Sequence, residues 1–212
     1  MNISIMVVAI AIGTTVLNCA ADERNVVPPG KPIDGRYQAD WSQAWWQWAA
    51  SFDYSDSPVA DATGAKCHLK QDGAVWFLAG TYGTRRTTRT CTVPRGKYLF
   101  FPLINYVVFP RDGETNTCAS VRNTARAVTD QPSSLVFDLD GHRTEDLAKH
   151  RQWTRDCFDL GALTQPKQSV FPAAANGYYV MLEPLGPGKH VLNFGGVLGN
   201  MSQAVTYTLI VE

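Results

Sequence analysis

Short apolar runs separated by turn residues recur along most of this chain, and they constrain its fold more than any other feature. The runs at 74–79, 98–105, 135–139, 178–182 and 205–211 are rich in Val, Leu, Phe and Tyr. Many of the 17 glycines and 12 prolines lie between such runs. Strands of about six residues with a turn every ten or so predict a mainly β protein, an antiparallel β-sandwich or jelly-roll-like fold with two short helices.

One of the two helices is predicted by tryptophan spacing. Trp41, Trp45 and Trp48 recur at i, i+4 and i+7, so they share one face of a helix that Asp40 can cap. We expect this face to pack against a sheet, with ligand stacking by exposed rings as the alternative. Trp46 lies off the stripe and is therefore a candidate ligand-facing residue.

The first residues have the pattern of an export signal. The apolar run 3–17 suits a secretory signal and is shorter than the roughly 20 residues of a membrane span. Cleavage after Ala21 would leave no membrane span in the mature chain. Residues 16–19 also resemble a bacterial lipobox, in which Cys19 would carry a lipid anchor. An uncleaved anchor is the third alternative.

Length and charge set the domain organisation. In a chain of 212 residues we expect a signal peptide at 1–21, an extended Pro- and Gly-rich leader at 22–40, and a single β-sandwich-like domain at 41–212. The second helix is predicted within that domain, at 117–129. Nineteen basic residues balance 19 acidic ones, which argues against a nucleic-acid partner.

The cysteines agree with a secreted or periplasmic location. Processing removes or modifies Cys19, and an even number remains, which is typical of disulfides in an exported chain. Three pairings are possible, and we favour Cys67 with Cys91 and Cys118 with Cys157, because each pair closes a compact region. A zinc site is the competing interpretation, but the chain contains no Cys-x-x-Cys pair.

Positive charge is concentrated in the Thr- and Arg-rich segment 81–90. We interpret this segment as a hairpin with its turn near Gly83. Arg85 and Arg89 would share one face of a strand and Arg86 the other. Arg85 and Arg89 are therefore candidates for binding a phosphate or an acidic glycan, and solvated edge-strand charges are the alternative.

Motifs for catalysis and cofactors are absent from the sequence. It has no Gly-x-Ser-x-Gly elbow, no phosphate-binding loop and no dinucleotide fingerprint, so we assign no catalytic, metal or cofactor residues. Asp138 and Asp140 share a strand face and are interpreted as the shoulder of a hairpin. His190 lies in an apolar strand and is a candidate ligand-facing residue, with a hydrogen-bonded structural role as the alternative.

Several segments together resemble a group of secreted bacterial proteins of unknown function. The resemblance rests on residues 73–81, 89–97, 100–105, 139–141 and 184–190, which include VWFLAGT, CTVPRGK and FFPLIN. It covers most of the chain from about residue 45 to residue 211. The resemblance implies a secreted, β-rich protein and implies no activity.

These observations favour a non-enzymatic binding or interaction module with an extracellular ligand or protein as partner. The alternative is a hydrolase or lyase that acts on an extracellular polymer through carboxylates from separate strands. Two carboxylates with shifted pKa values in one cleft would indicate the enzyme. A surface of aromatic or arginine side chains would indicate the binding module.

Overall fold

The computed structural model describes residues 25–111 and 113–212, and within them the chain forms nine strands and two α-helices. The expected signal peptide at 1–21 and the candidate anchor Cys19 lie outside the described residues. The strands are β1 (Val75–Phe77), β2 (Thr84–Val93), β3 (Tyr98–Val108), β4 (Ser134–Leu139), β5 (His142–Arg143), β6 (Arg151–Trp153), β7 (Ala174–Leu182), β8 (Gly188–Leu198) and β9 (Met201–Val211). The helices are α1 (Gln38–Ala50), α2 (Cys118–Val128) and a short 3-10 helix (Leu147–His150).

The strands form two sheets that pack face to face, which confirms the predicted sandwich-like, mainly β fold. One sheet has the order β1-β3-β7-β6, and the other has the order β2-β9-β8-β4-β5. Apolar side chains fill the space between them. Phe101 of β3 lies centrally, with its ring 4.6 Å from that of Phe194 and 5.9 Å from that of Phe137. The strand alternation that the sequence shows therefore points one face of each sheet into a common core.

The predicted hairpin at 81–90 is wrong. Gly83 adopts a positive φ of 89°, but the turn precedes a single long strand, β2, which pairs in parallel with β9 along its whole length. Residues Thr87, Arg89 and Cys91 are buried on its inner face. A parallel partner more than a hundred residues away leaves no turn signal in the local sequence, so the pairing was not visible there.

Helix α1 covers the outer face of the four-stranded sheet. It begins earlier than predicted, with Tyr37 at the N-cap, and Asp40 accepts a hydrogen bond from the Tyr37 N–H at 2.9 Å from within the first turn. Trp41, Trp45 and Trp48 are all buried, which confirms the predicted packing of the stripe. Each indole N–H also donates to a backbone carbonyl, so burial leaves none of these polar groups without a partner.

Part of the leader belongs to the fold. Val27 and Ile33 are buried in the cluster beneath α1, and the Val27 N–H donates to the Met181 carbonyl at 2.8 Å. The Glu183 N–H donates to the Asn25 carbonyl at 2.7 Å. These bonds add a short extended segment beside the end of β7.

Two disulfides connect loops to this framework, with the pairing that the sequence favoured. Cys67–Cys91 joins the loop before β1 to β2, and Cys118–Cys157 joins the start of α2 to the segment after β6. Both are consistent with an oxidising extracellular or periplasmic compartment. None of the helices in the described part of the chain is long and apolar enough to cross a membrane.

Candidate functional site

An apolar cavity of about 340 Å³ opens at one end of the sandwich, and we call it the aromatic pocket. It lies between α1, the residues just before β2, the second half of β3 and the start of β9. None of its lining residues carries a formal charge. Its aromatic lining residues are Trp45, Trp46, Phe52, Tyr82, Tyr106 and Phe109.

Exposed aromatic rings lie at the mouth of the aromatic pocket. Tyr82 is 60% exposed and Phe109 is 40% exposed, although both side chains are large enough to gain from burial. Tyr54, also exposed, stacks on Tyr82 with ring centroids 5.7 Å apart and an interplanar angle of 19°. Aromatic rings exposed together beside a cavity are typical of binding surfaces.

Two residues that line the pocket, Trp46 and Asn105, donate hydrogen bonds to a buried neutral hydroxyl behind the pocket wall. The Tyr179 hydroxyl accepts hydrogen bonds from Trp46 Nε1 at 3.0 Å and from Asn105 Nδ2 at 3.1 Å. Burial raises the pKa of Tyr179 above its ordinary value, so the hydroxyl keeps its proton at physiological pH. A charged group entering the pocket would find no opposite charge there.

Trp46 forms part of the pocket wall and is less exposed than its position off the stripe suggested. Its side chain is half-buried, and its ring packs edge-on against Trp45 with centroids 5.2 Å apart. The hydrogen bond to Tyr179 fixes the orientation of the indole. Its role as a ligand-facing residue stays a prediction, and its position in the pocket agrees with that prediction.

Arg89 is buried and contacts a loop that lines the pocket, so it does not face solvent. The expectation of a solvated or ligand-facing Arg89 fails because β2 turns this residue into the core, where it is 2% exposed. Its guanidinium donates to the Tyr207 hydroxyl at 3.1 Å and to four backbone carbonyls at 2.6–3.1 Å, those of Val59, Asp61, Ala79 and Gly80. These bonds hold two loops together, and Val59 of one loop lines the pocket.

Gln203 holds a second part of the wall. Its side-chain Nε2 donates to the carbonyls of Pro102 and Leu103 at 2.8 and 2.7 Å, and its Oε1 accepts from the Thr81 N–H at 2.9 Å. A Cβ at Gly80 would lie 2.5 Å from this Oε1, so a larger residue there would have to displace the Gln203 side chain from its hydrogen bonds. The aromatic pocket is therefore held open by buried polar groups that local sequence patterns could not assign to it.

The other candidate residues do not join this pocket. The side chain of Arg85 lies outside the part of the structure that is described, and Arg86 is exposed on β2. His190 lies in β8 opposite Leu209, toward the other end of β9 from Gln203. Its Nδ1 is 2.7 Å from Asp140 Oδ2 and its Nε2 is 3.0 Å from the Gly186 carbonyl oxygen, which is the structural alternative for this residue.

The described carboxyl groups with shifted pKa values each have hydrogen-bond partners of their own. The pKa of Asp61, Asp130, Asp140 and Asp159 is lowered in every case. At Asp140, burial acts to raise the pKa, but the hydrogen bonds from His190 and the Val191 N–H outweigh it. None of these four carboxyl groups lines the aromatic pocket.

The described residues contain no cluster of metal-ligating side chains. Within 25–111 and 113–212, no three His, Cys, Asp or Glu side chains come close enough together to hold an ion.

Comparison with known proteins gives no family for this chain. No protein-family model matches it, and no curated protein matches it. A solved structure, that of PbICP-C in complex with falcipain-2, aligns with 66% of this chain and all of its own at 10% identity and a TM-score of 0.27. That score is too low to indicate a shared fold, so nothing of that protein's function is carried over.

Proposed function

We propose that this protein is a non-enzymatic binding module whose aromatic pocket takes an uncharged apolar or aromatic side chain of a protein partner. The observation that carries the proposal is the aromatic pocket itself, an uncharged cavity with exposed aromatic rings at its mouth. Anchors of this kind dominate the binding energy of protein interfaces, where large side chains fill desolvated pockets. A volume of about 340 Å³ is at the lower end of the range for ligand cavities and suits one large side chain.

Rigid walls favour the same conclusion. Binding is weakened when loops must be ordered at the interface, and a preformed cavity avoids that cost. Here the buried groups of Arg89 and Gln203 fix the loops on two sides of the pocket before any partner arrives.

The hydrolase alternative requires a different arrangement. A general acid needs a raised pKa close to the reacting bond, and a second carboxylate must share its cleft. Every described carboxyl group whose pKa is shifted has a lowered pKa, and each already accepts hydrogen bonds within the fold. The binding module therefore accounts for the described groups better than the enzyme does.

Export belongs to the same proposal. The two disulfides support an oxidising compartment for the mature chain, secreted or periplasmic. A partner would then be another protein of the same compartment.

Selection from a displayed random-peptide library tests the proposal. We expect wild-type protein to enrich peptides that share an aromatic or large aliphatic anchor. A labelled peptide from that selection is then titrated with variants, with fluorescence anisotropy as the measurement. Phe109→Ala and Tyr82→Ala should each weaken binding by about tenfold or more, the usual effect of removing an aromatic anchor contact.

Phe171→Ala is the matched control, because Phe171 is 60% exposed and does not line the aromatic pocket. It should leave the affinity unchanged. The proposal is wrong if no peptide is enriched, if enriched peptides lack an apolar anchor, or if the pocket variants bind as the control does.

A further inference from the structure

A second concave site lies on another part of the molecule, between α2 and the strands β6 and β7. We propose that it binds an acidic oligosaccharide, one that carries a carboxylate on its sugar rings. The cleft has a volume of about 490 Å³, and we call it the arginine cleft. The residues that carry the argument are Arg122, Asn123, Arg126, Arg151, Trp153 and Asn176.

Positive charge in the arginine cleft is only partly compensated. Arg151 pairs with Asp130 at 2.8 Å. Arg122 and Arg126 are exposed one turn apart on the same face of α2. Arg126 shares Asp130 with Arg151, since both arginines lower the pKa of that carboxyl group. Among the described residues, no acidic side chain lines the cleft itself. An anionic ligand would therefore meet three guanidinium groups that share a single carboxylate, and guanidinium groups can bind further carboxylates in a bidentate manner.

The cleft is also fixed at both ends of the helix that forms it. At the start of α2, the disulfide Cys118–Cys157 joins the helix to the segment after β6. At its end, Arg151 Nη2 donates to the Arg126 carbonyl at 2.9 Å, and Arg151 Nε donates to Asn176 Oδ1 at 3.1 Å. The width of the cleft is thus set before a ligand binds, which lowers the cost of binding.

Trp153 distinguishes a sugar from other anions. Its side chain is 53% exposed in β6, although a tryptophan gains more from burial than most residues. An indole face presents a flat apolar surface on which the C–H face of a sugar ring can stack. The exposed amide of Asn123 lines the same cleft and can bond to hydroxyl groups. The stacking surface, this amide and the guanidinium groups together fit an acidic sugar better than an acidic peptide.

Titration with an oligogalacturonate, followed by calorimetry, tests this site. We expect binding that weakens with added salt, because exposed charges contribute to it. The fully methyl-esterified oligomer, which has the same rings without the charge, should bind at least about tenfold more weakly. A poly-glutamate peptide of similar charge should also bind more weakly, because it cannot stack on Trp153.

The variants Arg122→Gln/Arg126→Gln and Trp153→Ala should each lower the affinity for the oligogalacturonate by about tenfold or more. All three positions are exposed, so the urea midpoints should stay at the wild-type value. Arg95→Gln, an exposed arginine of the turn before β3, is the matched control and should bind as wild type does.

Three results would overturn the proposal: no binding of the oligogalacturonate, equal or tighter binding of poly-glutamate, or unchanged affinity in both variants. Equal binding of poly-glutamate would identify an acidic peptide as the ligand class instead. Because the aromatic pocket is lined by other residues, its peptide binding should be unaffected by these variants, so the two proposals can fail separately.

Discussion

Replacing Arg89 by methionine should destabilise the protein strongly, because the side chain satisfies several buried backbone groups at once. Its five hydrogen bonds reach four carbonyls and one hydroxyl, and the residue is 2% exposed. Each buried acceptor left without a donor costs about 1–3 kcal/mol, while removal of the buried charge returns several kcal/mol of desolvation energy. We expect Arg89→Met to lower the free energy of unfolding by about 3–5 kcal/mol, because several buried acceptors lose a donor at once and the recovered desolvation energy offsets only part of that cost.

Urea denaturation followed by tryptophan fluorescence, under non-reducing conditions, measures this change. Arg89→Lys keeps a charge and up to three donors, so its loss should be smaller than that of Arg89→Met. Arg86→Met, on the same strand but exposed, should change stability by no more than about 0.5 kcal/mol. A loss below about 1 kcal/mol for Arg89→Met would refute the reasoning, because water would then satisfy the carbonyls as well as the guanidinium does.

Further substitutions test the core, the pH dependence and the disulfides. In urea denaturation, Trp45→Ala should lower the free energy of unfolding by about 3–5 kcal/mol, and Trp153→Ala should lower it by less than about 1 kcal/mol. Equal midpoints for the two variants would contradict the packing of α1. Burial acts to lower the pKa of His190, but hydrogen bonds to Asp140 and the Gly186 carbonyl raise it overall. The stabilisation by the His190–Asp140 pair should therefore be lost as pH rises from 6.5 through the raised pKa of His190. It should also be lost as pH falls from 3.8 through the lowered pKa of Asp140, and a His190→Gln variant that keeps the wild-type pH profile would contradict this. Removing either disulfide should cost about 2–5 kcal/mol. Non-reducing peptide mapping should recover two cross-linked peptides, those of Cys67–Cys91 and Cys118–Cys157.

Much of the fold was accessible from local patterns. The tryptophan stripe predicted which face of α1 is buried, since Trp41, Trp45 and Trp48 follow helical spacing. Apolar runs predicted most of the strands, and the favoured cysteine pairs are those in the structure. These features are visible because each depends on neighbours that are close in the sequence or on a small number of possible pairings.

The candidate site was less accessible, because its parts come from distant segments. Local sequence predicts a surface charge at Arg89, and its burial depends on carbonyls of loops that the sequence gives no reason to place around it. The role of Gln203 follows from its contacts with Thr81 and with β3, about a hundred residues away. Trp153, in a three-residue strand, had no periodic pattern that could have singled it out.

The most direct test of binding at the aromatic pocket is NMR of protein labelled with ¹⁵N, in which the indole N–H groups of its six tryptophans are observed during titration with a selected peptide. The Trp46 indole lines the pocket and donates a hydrogen bond to the buried Tyr179 hydroxyl. The chemical shift of its N–H resonance should change progressively as the peptide is added. The N–H resonance of the Trp153 indole, which lies in the arginine cleft, should keep its chemical shift. If Trp46 is unchanged while the peptide binds, the aromatic pocket is not the binding site and the central claim is contradicted.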